Sequence, residues 1–88
     1  MKYSKFFERE ISEGNLSLLS PYEMKRVMKI ISIEGSIASL KIEKDKIENS
    51  RNPTYFNMTI FNYEMELTKL SRNLTPDDLL KEMVRLSD

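Results

Sequence analysis

Neither cysteine nor histidine occurs in this sequence of 88 residues. Without cysteine there is no disulfide framework and no thiolate chemistry. With histidine missing as well, the usual ligands of zinc, copper and haem iron are gone. Nucleophile activation of the Ser-His or Cys-His kind goes with them. Any catalysis would rest on carboxylates, Lys, Arg, Tyr or a metal held by oxygen alone. Glycine is almost as scarce: Gly14 and Gly35 stand alone, so no phosphate-cradling loop is encoded.

Excess charge is absent too. Lys plus Arg is 14 and Asp plus Glu is 14. A sequence-independent nucleic-acid binder needs surplus cations to displace counterions, so that class is disfavoured, although a local basic patch is not. No apolar run approaches the roughly 18 residues needed to span a membrane. The opening "MKYSKFFERE" places acidic residues where a signal peptide needs an apolar core, and the expected setting is the cytoplasm. A chain of this length makes one domain, 1–88, and buries only about 60–65 % of the surface its unfolded form exposes. Oligomerisation is a natural way to complete such a core.

What is present is clear punctuation. In "SPYE", Ser20 stands at an N-cap position, Pro21 at the first helical position and Glu23 three residues after the cap. "TPDD" repeats the arrangement with Thr75, Pro76 and Asp78. Each hydroxyl can accept an otherwise orphaned backbone N–H, and proline has none to orphan. A first helix is expected over 3–13 on the face of Tyr3, Phe7 and Ile11, closed by Gly14 and Asn15. The segment 14–19 reads as a connector whose leucines fold back on the core. A last helix covers about 76–87, with Leu79, Leu80, Met83 and Val84 on one face. "ENSRNP", 48–53, is the main interior break.

Two long segments flank that break. Residues 21–49 carry Ile30, Ile33, Ile37, Leu40 and Ile47 at alternating spacings of three and four, with Lys44 the exception. A second stripe of Met24, Val27, Met28, Ile31, Ala38 and Ile42 lies on about the opposite side, with Gly35 leaving room. A helix of that length spans about 43 Å, more than helices of about ten residues can cover. The segment from Phe56 to Leu74 repeats the pattern with Phe56, Ile60, Tyr63, Leu67, Leu70 and Leu74, and a second stripe of Met58, Phe61 and Met65. A strand competes here, because a single bulge at Ile60-Phe61 would place Phe56, Met58, Ile60, Phe61, Tyr63, Met65 and Leu67 on one face. The helix needs no such device and is preferred.

The expected fold is therefore all-α: a small helical bundle built on a long antiparallel helical hairpin, with short N- and C-terminal helices. The alternative is α+β with a bulged strand over 54–69. Paired carboxylates do not suggest catalysis, because Asp77 and Asp78 suit a cap and Glu64 and Glu66 flank an apolar stripe without converging. No enzyme, cofactor or metal site is expected. A helix apolar on two sides touches neighbours on two sides, so Met58, Phe61 and Met65 are the candidate partner-binding residues. The chain is expected to form a homodimer or larger homo-oligomer and to act as a regulator, adaptor or inhibitor of another protein, of a kind common among phage and mobile-element accessory proteins. The alternative is a nucleic-acid-binding transcriptional regulator using Lys25, Arg26 and Lys29 beside Tyr22. A helix-turn-helix of that kind would need Gly35 to supply its turn.

Overall fold

The computed structural model describes residues 2–47 and 54–88. Four helices follow one another: α1 (Lys2–Ser12), α2 (Pro21–Ile47), α3 (Thr54–Ser71) and α4 (Pro76–Leu86). The break expected at 48–53 lies outside the described residues. There is no strand among the described residues, so the bulged strand does not form: α3 is helical from Thr54 onward. The residues that alternate in a strand reading divide between two opposite sides of this helix. Nor is there a turn at Gly35, since α2 runs through it unbroken. The two-short-helix arrangement that a helix-turn-helix requires is therefore missing at that place.

Local chemistry sets the ends. Ser20 Oγ accepts from Glu23 N at 3.2 Å, and Thr75 Oγ1 accepts from Asp78 N at 3.2 Å. The Ser20 cap departs from a reciprocal box in one respect. The Glu23 carboxylate turns to Arg26, while Ser20 N donates to Ser87 Oγ at 2.9 Å. Gly14, at φ +77°, ends α1, with Gly14 N bonded to Ile11 O and Asn15 N to Glu10 O. A left-handed residue carrying this pair of bonds satisfies the last carbonyls of a helix. The chain then folds Leu16 back into the core, while Leu18 stays in solvent. Ile11, expected on the buried face of α1, is 39 % exposed, because the helix ends at Ser12 and Leu16 joins the core instead.

Helix α1 is capped from a distance. Its first amides are satisfied from α2. Glu34, a buried carboxylate, accepts from Tyr3 N at 3.0 Å, from Ser4 N at 2.6 Å and from Ser4 Oγ at 2.7 Å. A negative charge also suits the positive end of the α1 dipole. The bond fixes direction: the start of α1 lies beside Glu34 and its end leads back toward Pro21, so α1 runs antiparallel to α2.

The core has two parts. Tyr3, Phe7, Leu16, Val27, Ile30, Leu79 and Met83 cluster where all four helices meet. Ile33, Ile37 and Ile60 continue the seam between α2 and α3, with Leu40, Tyr63, Leu67 and Leu70 packed against them. Tyr3 Oη donates to Leu74 O at 2.6 Å, tying α1 to the connector before α4. The terminal helices thus flank α2 from about Ser20 to Glu34. Beyond that level, among the described residues, α2 and α3 pack on each other, as an arm that contributes to the 51 Å long axis. The expectation that short helices leave part of the second stripes uncovered holds: Met28 and Ile42 of α2 are exposed.

Candidate functional site

The outer side of α3 carries the three residues singled out for partner binding. Met58 is 62 % exposed, Phe61 59 % and Met65 47 %. Their spacings of three and four put them on one stripe, about opposite the seam formed by Ile60, Tyr63 and Leu67. The heptad residues take the intramolecular contact with α2, which leaves the second stripe to solvent. Tyr55 adds another exposed aromatic ring near the start of the helix, edge-on to Phe56 with centroids 5.4 Å apart. Methionine thioethers are flexible and adapt to irregular partners, and phenylalanine supplies a large apolar anchor.

The basic residues singled out on α2 part ways. Arg26 is drawn inward. Its Nε donates to Leu70 O at 2.7 Å, where the carbonyls at the end of α3 lack helical partners. Its guanidinium also meets Glu23 at 3.1 Å and Glu82 at 3.6 Å, and Glu82 in turn meets Arg72 at 3.1 Å. Arg26 thereby joins α2, α3 and α4, a structural use of its fork of donors. Lys29 pairs with Glu66 at 3.0 Å across the hairpin, on open surface. Lys25 is exposed. The structure brings Lys69 and Arg72 of the α3 end to the same place, forming a groove of about 480 Å³ with Tyr22 and Leu86 among its lining residues. The two added cations were missed because they lie some 40 residues away in sequence. Antiparallel pairing of the two heptad runs was the available signal.

Comparison with known proteins finds no match among family models, curated sequences or solved structures. The functional reading therefore rests on these two surfaces. Among the described residues no group of three acidic side chains is placed to hold a metal ion, and no helix is long and apolar enough to cross a membrane. Glu23 and Glu82 converge on Arg26.

Proposed function

We propose that this chain is a small non-enzymatic interaction module that self-associates through the outer side of α3 and, in the cytoplasm, regulates, adapts or inhibits a partner protein. The observation that carries this reading is the Met58, Phe61 and Met65 stripe, exposed on a helix whose other side is already packed. Soluble monomers rarely leave contiguous apolar stripes in water. Two copies meeting stripe to stripe about a two-fold axis would bury both at once, since an isologous contact needs only one self-complementary patch. The α2–α3 arm is the natural support, because a helix pair holds such a stripe on a rigid element.

Light scattering across a concentration series tests the proposal. A dimer or larger species is expected for the wild type, and a monomer for Phe61→Glu with its far-UV circular dichroism unchanged. The charge has no partner in an apolar contact and disrupts it, while at an exposed position it leaves the monomer folded. A wild type that remains monomeric at high concentration refutes self-association.

A further inference from the structure

The groove between the N-terminal half of α2, the end of α3 and α4 has an unbalanced lining. Five cations, Lys25, Arg26, Lys29, Lys69 and Arg72, face two carboxylates, Glu23 and Glu82. Both carboxylates are engaged within the groove, by Arg26 and Arg72. Among the described residues Lys25 and Lys69 have no ion-pair partner. Lys29 has one in Glu66, but an exposed pair of this kind is weak and exchanges readily with a competing carboxylate. The chain as a whole is neutral, so this surplus is a local concentration of charge. Apolar surface accompanies it: Tyr22 is 77 % exposed and Leu86 53 % exposed, and Leu70 also lines the groove.

We infer that this groove binds a short acidic segment of a partner protein, in which carboxylates are interspersed with an aliphatic side chain. Lys25, Lys29 and Lys69 receive the carboxylates, and the apolar surface of Tyr22, Leu70 and Leu86 receives the aliphatic group. Charge complementarity of this kind sets specificity and speeds encounter. A nucleic acid fits less well. Its phosphates continue along a regular backbone and need a basic track, whereas Glu66 of α3 sits on Lys29 at one side of the groove and Asp78 of α4 lines the adjoining hollow together with Glu82. The groove has one exposed aromatic ring for stacking, and its other apolar residues are aliphatic.

Fluorescence anisotropy on the full chain tests the inference. The probe is a labelled peptide repeating Glu-Glu-Leu. A Lys-Lys-Leu peptide of equal length and a single-stranded DNA oligonucleotide serve as competitors. The acidic peptide is expected to bind, with affinity falling as salt rises, and neither competitor is expected to displace it at equal concentration. The double variant Lys25→Glu with Lys69→Glu, at two exposed and unpaired positions, is expected to bind at least about tenfold more weakly, since reversing rim charges acts directly on the attraction. Its circular dichroism should match the wild type. Phe61→Glu, outside the groove, is expected to bind the peptide normally whether or not it self-associates. No peptide binding, or equal binding by the double variant, overturns the inference. Tighter binding of the oligonucleotide overturns it in favour of nucleic acid, and loss of peptide binding in folded Phe61→Glu moves the site to the apolar stripe.

Discussion

Replacing Glu34 by alanine probes the least local feature of the fold. The carboxylate accepts from two backbone amides and one hydroxyl at the start of α1. Loss of an N-cap acceptor costs about 0.5–2 kcal/mol, and a buried donor left without a partner costs about 1–3 kcal/mol. The Ser4 amide and hydroxyl are in a buried residue, so water does not easily replace the carboxylate there. Relief of the desolvated charge works in the opposite direction, but it is the smaller effect because removing one partner strands the others. The expected cost of Glu34→Ala is about 2–4 kcal/mol, out of a total of roughly 4–13 kcal/mol for a chain of this size. Glu34→Gln keeps one acceptor oxygen but loses the charge at the helix end, and is expected to cost about 1–2 kcal/mol. Urea denaturation followed by circular dichroism measures both, and amide exchange at Tyr3 to Phe7 localises the loss to α1. A Glu34→Ala midpoint implying a cost well under about 1 kcal/mol would show that water takes over from the carboxylate, and would refute the argument.

Other substitutions test other parts of the fold. Gly35→Ala is expected to stabilise by about 0.5–1 kcal/mol, because an added Cβ meets nothing within 4 Å and the residue is helical; a lowered denaturation midpoint would count against it. Thr75→Ala is expected to cost about 0.5–2 kcal/mol and to speed amide exchange over residues 76–80, so unchanged exchange there would mean that the cap is not formed. Phe7→Ala removes a fully buried ring where all four helices meet and is expected to cost about 3–5 kcal/mol, read from the same denaturation curves; a cost below about 1 kcal/mol would show that the α1 contact is loose.

The parts of this fold that were legible are those whose causes lie within a few residues. Ser20 and Thr75 cap because an oxygen three residues before an amide can reach it. Gly14 ends α1 because it alone there takes a positive φ without cost. The hairpin was legible through repetition, since Ile33 and Ile37 answer Ile60 and Tyr63 in the same rhythm. Glu34 was not: one glutamate in the middle of α2 carries no mark that the helix start thirty residues earlier needs an acceptor. Arg26 was misleading for a related reason. Beside Lys25 and Lys29 it resembles one more surface cation, and only the docking of α3 and α4 shows which of the three turns inward. The Met58, Phe61 and Met65 stripe was readable as a second apolar face, and the structure leaves it in solvent; what meets it depends on another molecule.

The borrowed cap on α1 has a consequence for the order in which the chain acquires its structure. A helix of 11 residues is marginal alone in water, and its costly first turn here depends on a carboxylate about thirty residues further along. Helix α1 therefore cannot settle before α2 is formed as far as Glu34. Its Tyr3 anchor waits longer still, for Leu74, 71 residues away. The contacts of α2 with α3 near Ile37 and Ile60 close a shorter loop than either and carry a somewhat smaller entropic cost. The α2–α3 pairing is therefore expected to form first, with α1 and α4 docking onto it. Pulse-labelled exchange during refolding should find α2 and α3 amides protected before those of α1, and the reverse order would contradict this sequence of events. On a ribosome α1 emerges first and is fastened last, with Tyr3 and Phe7 lacking their partners until most of the chain has followed.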